Sequence, residues 1–252
     1  MSRFVILSGP SCVGTGPLYS ALRKFYPHLA GRLQQIVLYN SRDPRPGEQE
    51  GVDYYFRPRA RIEELSKKPG FTSAIVRGDL QAVEIASIKK ILDQDKDAFF
   101  EGNPFIPAKL SECKELQEIP TLKVFLSPLS QEEILFLKDP SQRTNLEELL
   151  PDIMRRKLLR RTKRQKINLS LKDLENIEKR VASAVVELRE AWKFDYVIPN
   201  HDGEDSEHWD AFYYPIGDAR KALLAFAALL QGEIPPGVEY WEKDFVPEPD
   251  QS

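Results

Sequence analysis

FVILSGPSCVGTG, residues 4–16, is an apolar run that ends in a glycine-rich turn. The continuous apolar stretch at its start is typical of a parallel strand that is buried on both faces. Apolar residues then recur at helical spacing from Leu18 to about Tyr26, which predicts a helix. A strand, a glycine turn and a helix in this order are the opening of a βαβ unit.

Short apolar runs and helical patterns alternate along the rest of the chain. Further strands are predicted at 98–100, 122–126 and 194–198. Further helices are predicted at 85–92, 174–192 and 219–230. Such alternation predicts an α/β fold with a mostly parallel sheet and helices on both faces.

Two stretches interrupt the alternation and predict insertions into one core. Residues 37–84 are rich in Arg, Gly, Pro and Tyr, which indicates a small lobe, and residues 138–172 are dominated by charge, which indicates a mobile insertion. The predicted segments are a core at 1–36, 85–137 and 173–232, the lobe at 37–84, the charged insertion at 138–172 and a tail at 233–252. Within the core, 201–216 is a predicted loop with aromatic anchors, and the tail is either pinned by its aromatic residues or frayed.

The composition is that of a globular protein. Of 252 residues, 41% are hydrophobic and 30% are charged, and the formal net charge of −3 favours neither nucleic acid nor a membrane as partner. Cys12 and Cys113 lie far apart, which argues against a disulfide framework or a zinc site and fits a cytoplasmic protein. His28, His201 and His208 have no metal-ligand spacing, so we expect surface residues and no protein-held metal. The sequence leaves the oligomeric state open.

The glycine-rich turn has the spacing of a phosphate-binding P-loop, G-x-x-x-x-G-K-[ST]. In that motif, backbone N–H groups at a helix N-terminus hold phosphate oxygens. The candidate phosphate-loop residues are Gly9, Ser11, Cys12, Val13, Gly14, Thr15 and Gly16. Thr15 stands at the lysine position and Gly16 at the usual hydroxyl position, and Pro17 follows. The turn therefore predicts either a phosphate cradle that lacks its cation and hydroxyl, or an ordinary strand-to-helix turn.

A second motif gives the chain a specific resemblance. Residues 41–48 read SRDPRPGE, and residues 51–56 read GVDYYF. Together with the glycine turn, they resemble the guanylate kinase family, which reads T-R-x-P-R-x-G-E-x-x-G-x-D-Y-x-F. The resemblance covers about residues 3–200 and the last core helix. It implies a P-loop core with an NMP-binding lobe at 37–84 and an Arg-rich lid at 138–172.

The second motif also implies a monophosphate site. In the family, two arginines and a tyrosine grip the phosphate of GMP, so the resemblance implies this role for Arg42, Arg45 and Tyr54. Guanidinium forks bind phosphate bidentately, and a phenol adds a neutral donor. Glu48 belongs to the same predicted NMP-binding group. The alternative is that the two arginines lie on a solvated turn.

The residues that would read guanine are changed. The family glutamate faces Thr72 or Ser73, and the family serine faces Leu38. Loss of a carboxylate that pairs with two guanine N–H groups predicts weak discrimination for guanine, unless another polar side chain takes over. The candidates for that takeover are Glu48, Asp79 and Asn103.

Two polar residues follow the predicted strand at 98–100. Glu101 and Asn103 stand where the family has two aspartates. A carboxylate at a strand end organises Mg²⁺ through water, and Asn103 is a candidate to hydrogen-bond a base or ribose. A strand end before Pro104 also carries polar residues for purely structural reasons.

A basic run, RRKLLRRTKR at 155–164, loosely resembles the arginine-bearing lid of the family. Basic side chains on a closing lid stabilise the charge on a transferring phosphoryl group. The candidate catalytic residues are Arg160, Arg161 and Arg164 on this run, Arg180 on the following helix, and Glu101. The alternatives for the run are a contact with RNA or polyphosphate and a solvated helix face.

Three functions remain open at this point. The favoured one is a guanylate-kinase-like protein that binds a nucleoside monophosphate or similar phosphate ligand and transfers phosphate weakly, because the P-loop lysine is missing. The second is an active nucleoside monophosphate kinase that uses ATP and Mg²⁺, with lid arginines or Lys24 in place of the lost charge. This second function is favoured more strongly if Thr15 is an engineered replacement for lysine. The third is an interaction module that has kept the fold without catalysis.

Overall fold

A computed structural model describes residues 2–45 and 47–247 of the chain. In this part the strands are β1 (Phe4–Ser8), β2 (Leu33–Gln35), β3 (Leu38–Asn40), β4 (Tyr54–Phe56), β5 (Phe71–Val76), β6 (Asp79–Glu84), β7 (Asp97–Gly102), β8 (Thr121–Ser127) and β9 (Tyr196–Pro199). The α-helices are α1 (Thr15–Phe25), α2 (Pro27–Ala30), α3 (Arg59–Ser66), α4 (Ile85–Leu92), α5 (Phe105–Ser111), α6 (Gln131–Lys138), α7 (Leu146–Gln165), α8 (Leu171–Arg189) and α9 (Gly217–Gln231). Short 3₁₀ helices lie at Lys114–Leu116, Glu190–Lys193 and Glu207–Trp209. None of the described helices is long and apolar enough to cross a membrane.

The larger of two sheets has the strand order β2-β7-β1-β8-β9. β2 pairs with β7 and β8 pairs with β9, in both cases in parallel. Side chains such as Phe99 on β7 and Phe125 on β8 are completely buried. β1, in the centre of the sheet, is buried along its whole length, as a parallel strand covered by helices on both faces must be. The predicted α/β fold is confirmed.

The chain divides into two compact units. The first unit comprises Arg32–Leu122 with the chain up to Ile6. The second unit comprises Leu7–Gly31 with the chain from Lys123 onward. The boundaries of core, lobe, lid and tail given above stay a prediction.

The first unit contains a smaller sheet with the order β4-β3-β6-β5. β3 and β4 are parallel, whereas β6 is antiparallel to β3 and to β5. Arg77 and Gly78 join β5 to β6, and both have positive φ, 55° and 91°. Positive φ at both central residues is what a two-residue type I′ hairpin requires, and it matches the twist of the strands.

The register of this smaller sheet separates two faces. Tyr39 lies opposite Ala82, and Asn40 lies opposite Gln81. Tyr39 and Ala82 pack with Ile62 of α3 in an apolar cluster. Because neighbouring residues of a strand point to opposite faces, Asn40 and Gln81 belong to the other, polar face.

Three helices of the second unit begin at capping residues. Ser130 caps α6 and Ser170 caps α8, and in both the acidic residue three positions later completes a capping box. α7 begins after Asn145, whose Oδ1 accepts from the backbone N–H of Glu148 at 3.0 Å. α7 then runs for 20 residues through Pro151. The predicted charged insertion therefore contains one long helix, of which only a solvated helix face at 155–164 was an alternative prediction.

The chain after α9 contacts the body of the second unit. Val197 and Glu239 exchange two backbone hydrogen bonds, at 2.7 and 2.8 Å. Trp241 is buried, and its ring lies 5.1 Å from that of Phe245. Up to residue 247 this supports the pinned tail rather than the frayed one, and residues 248–252 lie outside the described part.

Candidate functional site

The turn between β1 and α1 has a backbone that needs its glycines. Gly9 has a φ of 155°, and a Cβ added there would lie 2.4 Å from the carbonyl oxygen of Leu126. Gly14 has a φ of 108° and is the N-cap residue of α1. A glycine has no side chain to cap a helix, so the first N–H groups of α1 and the helix dipole favour an anion here. The backbone therefore leaves room for the predicted phosphate-binding role of this turn, although Thr15, buried in the first turn of α1, brings no charge to it.

Cys12 is the non-glycine residue of this turn with a left-handed backbone. Its φ of 72° is strained for a residue with a Cβ. Burial, reinforced by the nearby carboxylate of Glu204, raises the pKa of the Cys12 thiol to about 12. The thiol is therefore protonated at neutral pH and is a structural group rather than a nucleophile.

A buried carboxylate reaches the turn from α8. The backbone N–H of Ser11 donates to Glu187 Oε2 at 3.2 Å. Glu187 is completely buried and also accepts from the Ser183 hydroxyl. One N–H group of the turn thus already has an anionic partner inside the protein. The helical pattern of α8 does not distinguish Glu187 from its other glutamates, so the sequence did not predict this contact.

Asn200 ties the turn to the end of β9. Its Nδ2 donates at 2.8 Å to the carbonyl oxygens of both Val13 and Asp202, and its Oδ1 accepts from the Asp202 backbone N–H at 3.2 Å. Asn200 is completely buried. A Cβ at Gly14 would lie 2.8 Å from Asn200 Nδ2, so glycine and asparagine fit each other closely. The Asn200 side chain therefore supports the turn from the end of β9.

The basic run of α7 lies against residues 201–207, HDGEDSE, which we call the acidic segment. The ion pairs are Lys157–Asp205 at 3.8 Å, Arg160–Asp205 at 3.4 Å, Arg161–Glu204 at 2.8 Å and Arg164–Glu207 at 3.0 Å. The structure thus brings three predicted arginines together, with partners that the sequence analysis did not name. A cavity of about 510 Å³ lies between α7 and 201–216. The sequence feature that could have predicted these ion pairs is the presence of two blocks of opposite charge, at 155–164 and 202–207.

Two other predicted cations lie elsewhere in the second unit. Arg180 is buried on α8. Lys24 is in the last turn of α1, about 14 Å along the helix axis from Thr15 at 1.5 Å per residue. Its Nζ donates to the Tyr213 carbonyl at 3.3 Å and lies 4.7 Å from the centre of the Tyr213 ring. This position argues against Lys24 as a substitute for the missing lysine.

His201 is more than a surface residue. Its Nδ1 lies 2.6 Å from Asp218 Oδ2, and its Nε2 lies 2.9 Å from Glu133 Oε2. Burial opposes protonation, but the hydrogen bonds to the two carboxylates outweigh it and raise the pKa of His201. The His201 side chain therefore links α6 to α9 at the start of the acidic segment.

The monophosphate candidates lie together in the first unit. Arg42 donates two hydrogen bonds to Glu48, at 2.7 and 2.6 Å, and the backbone N–H of Arg45 donates to the same carboxylate at 2.7 Å. The Arg42 guanidinium lies 5.1 Å from the centre of the Tyr54 ring. Burial opposes the charge of Arg42, but the hydrogen bond to Glu48 outweighs it and raises the pKa of Arg42. Glu48 thus orients the guanidinium plane over Tyr54.

Tyr54 keeps its proton. Burial raises the pKa of the Tyr54 phenol, Arg42 opposes this effect, and Glu101 adds to it. A neutral phenol is a hydrogen-bond donor, as phosphate recognition requires. The influence of Glu101 shows that the strand end of β7 lies in electrostatic range of the Arg42–Tyr54 cluster.

Asn103 is engaged within the protein. Its Nδ2 donates to Gln81 Oε1 at 3.0 Å, and its Oδ1 accepts from the backbone N–H groups of Phe105 and Ile106 at 3.0 and 3.2 Å. The polar face of the smaller sheet therefore meets the end of β7 through an amide–amide contact. Asn103 was predicted as a ligand candidate, and its contact with Gln81 was not predicted.

Comparisons with known proteins identify the family of the chain. A family model described as guanylate kinase matches residues 1–209. The chain is 30% identical over 218 residues to a guanylate kinase of Synechococcus sp. (strain JA-3-3Ab), covering 84% of this chain and 82% of that protein. It is 30% identical over 199 residues to a guanylate kinase of Thermus thermophilus, covering 79% of this chain and 74% of that protein. A crystal structure of guanylate kinase from Anaplasma phagocytophilum shares the fold, with a TM-score of 0.54, 19% identity and coverage of 92% of this chain and 85% of that one. This chain belongs to the guanylate kinase family.

Proposed function

We propose that this protein binds a nucleoside monophosphate, GMP or a close analogue, and transfers a phosphoryl group to it from ATP only weakly. Membership of the family implies binding of GMP and ATP and phosphoryl transfer. The proposal rests on an asymmetry between the two sets of residues: the monophosphate set is retained, and the ATP-phosphate set is depleted.

The observation that carries the proposal is the cluster around Arg42. Its guanidinium is hydrogen-bonded to Glu48 and lies 5.1 Å from the centre of the Tyr54 ring, with only 13% of the side chain exposed. Two arginines and a phenol supply donors of the kind that bind a phosphate dianion, and prior fixing of a side chain lowers the entropic cost of binding. A solvated turn would not hold an arginine in this way.

The ATP-phosphate side lacks its usual charge. Thr15 stands where the motif places an ammonium group, and Gly16 and Pro17 carry no hydroxyl. Phosphoryl transfer depends almost entirely on electrostatic stabilisation. Removal of one stabilising group from such a site commonly costs on the order of a hundredfold in rate.

The remaining cations are candidates to act on the transferring phosphoryl group. Arg160, Arg161 and Arg164 project from α7, and each is ion-paired with the acidic segment. Arg180 is buried on α8 and would orient rather than contact the ligand. Because the three arginines of α7 are paired, ATP must compete with carboxylates for them.

ATP and Mg²⁺ are the cofactors that the proposal implies. The loop side fits the metal poorly, because Gly16 and Pro17 carry no hydroxyl where the motif supplies one to Mg²⁺. We therefore assign no step to Mg²⁺. Glu101, at the end of β7, stays a predicted metal-side carboxylate.

We expect the protein to discriminate weakly between guanine and adenine. Leu38 is buried and apolar, and Asn103 already binds Gln81 and backbone groups. Each missing contact to guanine should cost about 1–3 kcal/mol of discrimination. We therefore propose that the affinities for GMP and AMP differ by less than about a thousandfold.

Calorimetric titration with GMP and AMP tests the proposal. The protein should bind GMP, and Arg45→Ala should lower the affinity at least about tenfold, the loss of one charge-assisted contact. Arg57→Ala is the matched control, since Arg57 pairs with Glu50 at 2.6 Å on the outside of the same unit. No binding at about millimolar GMP, or equal losses in both variants, would refute the proposal.

A further inference from the structure

Four basic residues of α7 form one stripe, which we call the α7 stripe. It consists of Lys157, Arg160, Arg161 and Arg164. Their i, i+3, i+4, i+7 spacing places the side chains on one face of the helix. Every residue of the stripe pairs with a carboxylate of the acidic segment, whereas Arg155, on another face, pairs with Glu178 at 2.8 Å. The carboxylates of the acidic segment thus pair with the α7 stripe, whereas a basic residue on another face of α7 has a different partner.

The acidic segment is fixed at the glycine turn by its backbone. The N–H of Glu204 donates to the Cys12 carbonyl oxygen at 3.2 Å. A Cβ at Gly203 would lie 2.3 Å from the same oxygen and 3.2 Å from Lys157 Nζ. Turn, acidic segment and stripe are therefore in direct contact. Gly203 is needed because any side chain would separate them.

The carboxylates of the segment are placed as ligands of the stripe. Asp205 is 5% exposed, and its Oδ1 has no hydrogen-bond partner among the described residues. Glu204 and Arg161 are both largely shielded, with 19% and 25% of their side chains exposed. Partly buried opposite charges attract more strongly than solvated ones, because water screens them less. The stripe is neutralised from within the chain.

We propose that the acidic segment is an internal anion that holds the α7 stripe in place of the phosphates of a nucleoside triphosphate, and so acts as an autoinhibitory latch. The inference rests on the weak ATP side of the proposed function and gives a second cause for it besides Thr15. A polyphosphate anion that approaches the stripe meets the carboxylates of Glu204, Asp205 and Glu207, which repel it and already occupy its cationic partners. Binding therefore requires the carboxylates to be displaced.

The test removes the carboxylates and measures a probe without a base. The variant Glu204→Gln, Asp205→Asn, Glu207→Gln keeps the shapes of the side chains and removes three negative charges. Calorimetry with inorganic tripolyphosphate, and separately with ATP, should show an affinity at least about tenfold higher than that of the parent. The gain should shrink between about 0.05 M and about 0.5 M salt, because salt screens the repulsion between the carboxylates and an approaching polyphosphate anion.

Glu178→Gln is the matched control, since it removes a carboxylate that pairs with α7 outside the stripe. It should leave the tripolyphosphate affinity within about twofold of the parent value. If the triple variant does not fold by thermal melting, the single change Glu207→Gln replaces it, because Glu207 is 75% exposed. That variant should gain about twofold to threefold.

Two results would overturn the latch. One is a triple variant that binds tripolyphosphate no better than the parent, which would make the carboxylates simple structural partners. The other is an equal gain in Glu178→Gln, which would reflect net charge alone. GMP titrated into the same variants reports the monophosphate site separately. Failure to bind GMP would refute the proposed function and leave the tripolyphosphate comparison intact.

Discussion

Replacement of Asn200 should destabilise the second unit more than any exposed polar substitution. The side chain is completely buried and makes three hydrogen bonds to the backbone of Val13 and Asp202. Asn200→Ala leaves those carbonyl and N–H groups without their partner, and a buried unsatisfied group costs about 1–3 kcal/mol. Partial relaxation makes the losses less than additive, so we expect a loss of about 3 kcal/mol in the free energy of unfolding.

Tryptophan fluorescence during urea unfolding measures this loss of stability in the second unit. Trp192, Trp209 and Trp241 all belong to the second unit. Asn145→Ala is the control, because Asn145 caps α7 with a single exposed hydrogen bond, a cap that contributes about 1 kcal/mol. A loss at Asn200 no greater than that at Asn145 would refute the idea that this side chain supports the turn.

Two further predictions concern the clusters in the two units. Glu48→Gln should lower GMP affinity about threefold to tenfold in a calorimetric titration, because Arg42 loses its charged partner and its fixed plane; unchanged affinity would contradict the orienting role. His201 has a raised pKa, so its ion pairs with Asp218 and Glu133 stabilise the fold fully below pH 6.5, the ordinary value, and are lost as the pH rises through the raised value. The stability difference between the parent and His201→Gln should therefore shrink as the pH rises from 6.5 through the raised pKa, whereas a constant difference would show that the histidine acts by shape alone.

The central elements could be predicted because their burial is continuous. β1 and α4 lie where the apolar run and the helical spacing placed them, at Phe4–Ser8 and Ile85–Leu92. A strand that is buried on both faces must be apolar throughout, so local sequence determines it. A helix at α7 was predicted only as an alternative for residues 155–164, since its charged face and Pro151 hide the helical period.

The parallel pairing of β3 with β4 could not be read from the sequence. Register and direction of pairing depend on contacts between residues that are distant in the chain. The same limit applies to the site. The arginine motif identified Arg42 and Tyr54 as neighbours, whereas the pairing of Arg161 with Glu204 joins residues from two distant segments of the chain.

Restoration of the P-loop lysine tests the central claim most directly. Thr15→Lys would place an ammonium group at the N-terminus of α1, on the turn formed by Gly9 and Gly14. Coupled ADP release with saturating ATP and GMP should rise at least about tenfold over the parent, which corresponds to about 1.4 kcal/mol of barrier. The account predicts a slow parent and a faster variant. A parent that already turns over at a substantial rate, equal to that of the variant, would contradict it.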